Sequence, residues 1–174
     1  PELKQMTADK ALEAMPAPER VVIPLLQHFG QPAEPLVQKG DEVCLGQKIG
    51  KAKTLFSASV HSSVSGKVLS VDNSNHPAGS PCLSITISND GHDRGIQKEI
   101  EKDPFSLTPD ELRQIIMEAG IVGLGGAAFP TAVKLSPPKD KPIDTLIING
   151  CECEPMLTAD YRLMLEAPED ILNG

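Results

Sequence analysis

Aromatic side chains are scarce in this sequence: of 174 residues, four are Phe, one is Tyr and none is Trp. Basic residues are outnumbered, with 16 Lys and Arg against 24 Asp and Glu, which gives a formal net charge of -8. Binding to a phosphate backbone depends on clustered positive charge, and binding to single-stranded nucleic acid depends on aromatic side chains that stack on bases. The composition therefore argues against a nucleic-acid-binding protein.

Long apolar runs are also missing. No run approaches the roughly 18 to 20 residues that a membrane-spanning helix needs, and no basic start followed by an apolar stretch resembles a signal peptide. We therefore expect any work at a membrane to be that of a peripheral protein. The chain starts at Pro1 without an initiator Met and stops after a helix-like run, so we expect it to be a part of a longer protein.

The cysteines lack the spacing of a metal site or a redox motif. They are Cys44, Cys82, Cys151 and Cys153, with no C-x-x-C among them, and the last two are too close together for a routine disulfide. Thiolate clusters normally need about four ligands, and no other residues are spaced to supply them. The sequence predicts ordinary thiols in a reducing cytoplasm and no metal site. No catalytic role is assigned to the scattered histidines, which are His28, His61, His76 and His92.

Residues 21–90, named the β module, have the texture of a compact all-β domain. Short apolar runs are separated by clusters of Gly, Pro, Asn and Asp at turn spacing. The runs are 21–23, 42–45, 48–50, 59–61, 67–71 and 83–87. In the last run the odd-numbered apolar residues are expected to face the core, and Ser84 and Thr86 the solvent. Residues 1–20, with Pro16 and Pro18, are interpreted as a lead-in segment.

Two glycine-containing blocks refine the prediction for the β module. Residues 39–50 contain KGDEV followed by GQKIG, and residues 60–68 read VHSSVSGKV. Together they resemble the two halves of a lipoyl- or biotinyl-like barrel-sandwich hybrid, in which glycines suit tight turns. A carrier domain would display a modifiable Lys at a hairpin tip, but Lys51 and Lys53 are not in such a tip. We expect plain surface lysines there, with a biotinyl-type carrier as the alternative.

A second module is predicted after a polar, charged linker at 91–103. Thr108 and Glu111 have the spacing of a capping box, Pro109 suits a first helical turn, and Gly120 suits a helix end. These signals predict a helix at 108–119. Two further elements are predicted: a buried strand of an α/β sheet at 146–150 and a helix that begins at 160–166.

The chemistry-bearing segment is 120–134, which reads GIVGLGGAAFPTAVK. Its first seven residues hold four glycines, which let backbone amides approach an anion such as a phosphate. The spacing alone is weak, because it is neither the Walker pattern nor a complete G-x-G-x-x-G after a strand. From spacing, a phosphate cradle and a tight structural loop both remain open.

The longer string G-x-G-G-A-x-F-P-T-x-x-K resembles the signature of flavin-binding subunits of the NADH-oxidising part of respiratory complex I and of the RnfC component of the Rnf electron transport complex. Residues 148–155, INGCECEP, followed by TAD at 158–160 and by Arg162, resemble a second segment of the same superfamily. The β module in front of both blocks favours the N-terminal part of the RnfC family. Leu124 and Cys151 depart from the complex I pattern, where a basic and an acidic residue stand.

The resemblance implies a set of FMN- and NADH-binding residues. Glycines would let the main chain pass over FMN, Lys134 would place a positive charge near its phosphate, and Phe129 would stack on the nicotinamide nucleotide. Asn149 would hydrogen-bond the flavin, and two glutamates would shape nucleotide contacts. The full set is Gly123, Gly125, Gly126, Ala127, Phe129, Lys134, Asn149, Glu152 and Glu154. The structural alternatives are a solvated Lys, a core Phe, a turn Asn and surface carboxylates.

The resemblance also implies the function of the intact protein. It would be an NADH-linked oxidoreductase subunit of an ion-translocating membrane complex, peripheral on the cytoplasmic face, with FMN passing electrons to 4Fe-4S clusters outside this chain. The implied fold class is α+β and multi-domain: the barrel-sandwich hybrid, then the truncated start of an α/β FMN/NADH-binding domain at 104–174. The fragment alone is expected to be inactive. A soluble flavoprotein reductase with these modules and a cofactor-free docking fragment are the alternatives.

Overall fold

A computed structural model describes residues 3–54, 56–96, 103–124, 127–138, 140–141 and 143–174. The chain divides into two compact units. The larger unit is Ala17–Pro138, and the smaller one combines Pro1–Pro16 with Lys139–Gly174. In the part of the chain that is described, every helix is too short or too polar to cross a membrane.

Seven strands in the larger unit form two antiparallel sheets. They are β1 (Arg20–Pro24), β2 (Glu34–Pro35), β3 (Glu42–Val43), β4 (Lys48–Lys51), β5 (Val60–His61), β6 (Gly66–Ser74) and β7 (Cys82–Asn89). One sheet has the order β1-β7-β6-β3 and the other the order β2-β4-β5. The six strands predicted from the apolar runs are confirmed. The short strand β2 is absent from the prediction, because two residues that include a Pro give no alternating pattern.

The core of the larger unit lies between residues contributed by both sheets. Its buried cluster consists of Ile23, Leu25, Ala33, Val43, Ile49, Val60, Val64, Val68, Ile85 and Ile87. The inward prediction for 85 and 87 is confirmed, but the outward prediction for Ser84 is wrong, since this residue is 1% exposed. Ser84 lies on β7, which is flanked by β1 and β6, and its hydroxyl donates to the Cys82 carbonyl oxygen at 3.1 Å. That local hydrogen bond makes burial of the hydroxyl tolerable.

Four α-helices and two short 3-10 helices complete the described secondary structure. The α-helices are α1 (Pro109–Glu118), α2 (Thr131–Lys134), α3 (Ala159–Glu166) and α4 (Pro168–Asn173), and the 3-10 helices are Lys4–Met6 and Pro104–Ser106. Both predicted helices are confirmed as α1 and α3. The capping box at Thr108 and Glu111 is formed, and Gly120 follows the helix end with φ +71°. Of the segment predicted as a linker, residues 97–102 lie outside the described residues.

The buried strand predicted at 146–150 is wrong. This stretch has no strand assignment, and Leu146, Ile147 and Ile148 are 80%, 84% and 70% exposed. The described strands all belong to the two sheets of Ala17–Pro138, so within the smaller unit no described strand pairs with this one. An apolar run becomes a buried strand only when neighbouring strands satisfy its backbone groups and cover its side chains.

Candidate functional site

The glycine loop, defined here as residues 121–130, is closed at its base by backbone pairing. Val122 and Pro130 form an antiparallel bridge, and the Gly123 amide donates to the Phe129 carbonyl oxygen at 3.0 Å. Within this loop Leu124 is 90% exposed. Gly125 and Gly126, two of the predicted cofactor-binding residues, lie outside the described residues. The described part is a narrow, surface-exposed turn that leads directly into α2.

Lys134 brings a positive charge to the base of the glycine loop. Its Nζ lies so close to Gly123 that a Cβ added to this glycine would be 2.5 Å from it. A side chain at 123 would therefore displace the ammonium group, and glycine leaves the space open. Bare backbone next to a compact cation on an exposed loop fits a phosphate, because both amides and ammonium attract anions. The described residues thus fit the phosphate end of a flavin mononucleotide.

Phe129 packs into a cluster of three aromatic rings. Its ring centroid lies 5.7 Å from that of Phe29 and 6.2 Å from that of Phe56. The Phe29 amide donates to the carbonyl oxygen of Ala128, next to Phe129, at 3.0 Å. Ala127, another predicted site residue, precedes this contact in the loop. The ring predicted to stack on a nicotinamide nucleotide therefore contacts side chains of the β module.

The second sequence block lies in the smaller unit and is held by its own local contacts. The Asn149 Oδ1 accepts a hydrogen bond from the Cys151 amide at 2.9 Å, as in a turn built by the asparagine itself. The Glu152 Oε1 accepts one from the Tyr161 amide at 3.1 Å, in the first turn of α3. Glu154 contributes its main-chain oxygen, which accepts from the Lys4 Nζ at 3.2 Å. These residues are near one another in the chain and mostly exposed.

The predicted site residues therefore fall into two groups. Gly123, Ala127, Phe129 and Lys134 belong to the larger unit, where the loop base brings them together. Asn149, Glu152 and Glu154 belong to the smaller unit.

Sequence reasoning missed Phe29 and Phe56, which contact the glycine loop from the β module. A signal was available in the composition. Three of the four phenylalanines of a chain with few aromatic residues converge at this one loop. Scarce aromatic side chains that gather at a functional loop indicate a packing role there.

Charged side chains also link the β module to α1 within the larger unit. Lys48 on β4 forms an ion pair with Glu118 near the end of α1, and the Lys48 hydrogen bond lowers the pKa of the Glu118 carboxyl. The pair borders a cavity of about 410 Å³. Gly46, Lys48 and His61 line one side, and Gln114, Ile115 and Glu118 line the other. None of the predicted site residues lines this cavity, so it is distinct from the glycine loop.

The thiols give no metal site among the described residues. Cys151 and Cys153 are exposed and free, and no group of three or more His, Cys, Asp or Glu side chains in the described ranges could hold a metal ion.

Comparison with known protein families follows the two modules. Residues 1–92 match the RnfC barrel sandwich hybrid domain, and residues 116–174 match the Nuo51 FMN-binding domain. The first match covers the two sheets, and the second covers the glycine loop and the second sequence block.

Curated relatives match nearly the whole chain, and each is the C component of an oxidoreductase complex. That of the proton-translocating ferredoxin:NAD(+) oxidoreductase complex of Clostridium ljungdahlii is 47% identical over 172 residues, which are 98% of this chain and 38% of that protein. Its Na(+)-translocating counterpart in Acetobacterium woodii is 43% identical over 178 residues, covering 100% of this chain and 40% of the relative. That of an ion-translocating oxidoreductase complex of Rhodobacter capsulatus is 43% identical, with 98% and 33% covered. The chain spans two fifths or less of the length of these relatives.

Proposed function

This chain belongs to the RnfC family, and from that premise we propose that it is the N-terminal part of an electron-transfer subunit in an ion-translocating membrane complex. The family resemblance and the fold class expected from the sequence are confirmed. In the proposed role the intact subunit passes electrons from NADH through FMN toward 4Fe-4S clusters outside this chain. It works peripherally on the cytoplasmic face, with the other subunits of the complex as partners.

The observation that carries the proposal is the pairing of bare backbone and positive charge at the glycine loop. Gly123 leaves its α-carbon uncovered, and the Lys134 ammonium lies beside it at the surface. These two residues would hold the phosphate of FMN, while the flanking glycines and Ala127 would let the main chain run along the cofactor. When bound, FMN supplies two-electron acceptance and one-electron release. The chain's own residues bind and orient it.

Further contacts to FMN or NADH are proposed for residues of the smaller unit. Asn149 keeps its side chain in a fixed orientation through the hydrogen bond to Cys151, and Glu152 is held by the Tyr161 amide. Fixed polar side chains lose little freedom on binding a ligand. Glu154 is proposed on the motif alone, and so are Gly125 and Gly126. Phe129 is proposed to contact the nicotinamide nucleotide in addition to its ring contacts within the larger unit.

One observation favours the alternative of a cofactor-free docking segment. The apolar side chains at 146–148 are mostly exposed in the smaller unit, and exposed apolar stretches often mark protein contacts. Titration with FMN separates the two functions, because a docking segment has no flavin affinity. A lipoyl or biotinyl increment in the intact mass would point instead to a carrier.

Replacement of Lys134 tests the flavin site directly. We expect Lys134→Ala to weaken FMN affinity by roughly ten- to hundredfold, since a hydrogen bond to a charged group contributes about 1.5–3 kcal/mol. The measurement is quenching of flavin fluorescence on titration with the purified chain.

The matched control is Lys67→Ala, which removes an equally exposed lysine from β6. Equal affinity in the Lys134 variant and the control would remove Lys134 from the site. A parent chain that leaves flavin fluorescence unchanged would contradict FMN binding by this chain.

A further inference from the structure

We propose that Phe29 and Phe56 of the β module are positioning residues that hold the glycine loop in its binding shape and so set its affinity for FMN. The inference rests on the proposed function and extends it, because it makes the β module a part of the flavin site. Phe29 contacts the loop twice, through its ring against Phe129 and through its amide to Ala128. Phe56 contacts the same Phe129 ring from an edge-on direction, at an interplanar angle of 73°.

The glycine loop needs such outside contacts because its own structure determines it weakly. Ala128 adopts φ +49°, a left-handed conformation that costs a non-glycine residue about 1–2 kcal/mol. Glycine-rich backbone also loses more conformational freedom on ordering than other sequences do. The helix that follows, α2, has only four residues. A loop of this kind keeps one shape only where neighbouring groups enforce it.

The β module presents the two phenylalanines as a rigid platform. His28, beside Phe29, is buried, and its Nε2 lies 2.8 Å from the Gln31 carbonyl oxygen and 3.1 Å from the Ser57 Oγ. The Ser57 hydroxyl also donates to the Gln31 carbonyl oxygen at 3.0 Å. These buried bonds tie the turn that carries Phe29 to the segment that carries Phe56.

Gly30 brings the same two segments into direct backbone contact. It has φ +113°, and a Cβ added there would overlap the Phe56 carbonyl oxygen. Only glycine therefore permits this approach. The platform is set when the β module folds, before any ligand binds, and a loop ordered in advance binds more tightly than one ordered by its ligand.

The test compares three identical substitutions. Phe29→Leu and Phe56→Leu each remove a ring that contacts Phe129, and Phe105→Leu removes a ring that is 97% exposed. Phe29 and Phe56 are themselves 53% and 48% exposed, so the core stays intact in the variants. We expect FMN affinity to fall roughly two- to tenfold in each of the first two, from the usual strength of an aromatic pair. The control should bind as the parent chain does.

Two further readouts separate positioning from a general loss of structure. Hydrogen exchange of the Gly123 amide, which is bonded to the Phe129 carbonyl oxygen, should accelerate in both variants while amides of β7 keep their protection. Phe29→Tyr, which keeps the ring, should restore both FMN affinity and slow exchange.

Each outcome decides the inference. Unchanged exchange at Gly123 would overturn it, and so would faster exchange with unchanged FMN affinity or a failure of the tyrosine variant to restore binding. If the parent chain binds no FMN, the proposed function fails, and the affinity part of the inference falls with it. Hydrogen exchange would then still report separately whether the two rings hold the loop.

Discussion

Gly120 and Gly91 have the same backbone dihedral, φ +71°, but different surroundings. A Cβ added to Gly120 would overlap the carbonyl oxygen of Ser59 in the β module, whereas nothing lies within 4 Å of a Cβ on Gly91. The two positions therefore separate the cost of a left-handed conformation from the cost of a close contact. Gly120 ends α1 and begins the approach to the glycine loop, so its contact also fixes where the loop starts.

We expect Gly91→Ala to lower the free energy of unfolding by about 1–2 kcal/mol, from its conformation alone. Gly120→Ala should cost about 1–3 kcal/mol more, because backbone atoms must move to accommodate the added carbon. Urea denaturation followed by circular dichroism measures both values. Equal losses in the two variants would mean that the contact with Ser59 carries no energy.

Asp90 accepts several hydrogen bonds at the end of β7. The Ser65 hydroxyl donates to its Oδ1 at 2.6 Å, the His92 amide to the same oxygen at 2.9 Å, and Arg94 to its Oδ2 at 2.7 Å. These donors, the Ser65 hydroxyl first, hold the pKa of the carboxyl well below its ordinary value of 3.8. The carboxylate thus joins β7 to the turn at Ser65 and to Arg94.

This lowered pKa predicts a pH dependence of stability. The unfolded carboxyl binds a proton at a higher pH than the folded one, so the contribution is complete above the unfolded pKa and is lost as pH falls below about 3.8. We expect the melting temperature to fall over that range, and Asp90→Asn to reduce the slope. Asp72→Asn, an exposed change on β6, is the control and should keep the parent slope. An identical slope in all three proteins would contradict the assignment.

At the scale of elements, α1 depends on its capping box. The Thr108 Oγ1 accepts from the Glu111 amide at 3.3 Å, and the Thr108 amide donates to the Glu111 Oε2 at 2.9 Å. We expect Thr108→Ala to lower the free energy of unfolding by about 1 kcal/mol, as the loss of an N-cap usually does. Thr108→Ser keeps the hydroxyl and should cost much less. Urea midpoints measure both, and equal losses would show that the hydroxyl is not the stabilising group.

Elements specified by local patterns were predictable from the sequence, and those that depend on distant partners were not. The capping box defines α1 from four consecutive residues, and the turn glycines separate the strands of the β module. The stretch at 146–150 has the composition of a buried strand, but composition cannot supply the neighbouring strands that it needs. The outward prediction for Ser84 is wrong for a related reason, since a polar residue on a strand flanked on both sides can be buried once its hydroxyl is bonded locally.

The candidate site was predictable to the same extent. The run of glycines and Lys134 are contiguous in sequence, so a motif reveals them. Phe29 and Phe56 are distant in sequence from Phe129, and only the fold of the β module brings the three rings together. Contacts of this kind depend on tertiary structure and leave little trace in local sequence patterns.

At the scale of the whole molecule, the buried apolar side chains are distributed unequally between the two units. Within the described residues every buried hydrophobic side chain, from Ile23 to Ala132, belongs to Ala17–Pro138. In the smaller unit Thr158 is the buried side chain, and it is polar. Burial of apolar surface is the main source of folding free energy, so the larger unit holds most of the stability.

We therefore expect the excised segment Ala17–Pro138 to unfold cooperatively, with a melting temperature within about 5 °C of that of the whole chain, a shift that corresponds to about 1 kcal/mol. The excised segment Lys139–Gly174 should show no cooperative transition, because the apolar side chains at 146–148 remain exposed and add little stability. Calorimetry of the two segments and of the whole chain measures this. Non-cooperative melting of Ala17–Pro138 would show that its core needs the smaller unit, since removal of an independent unit leaves the transition of the remaining one unchanged.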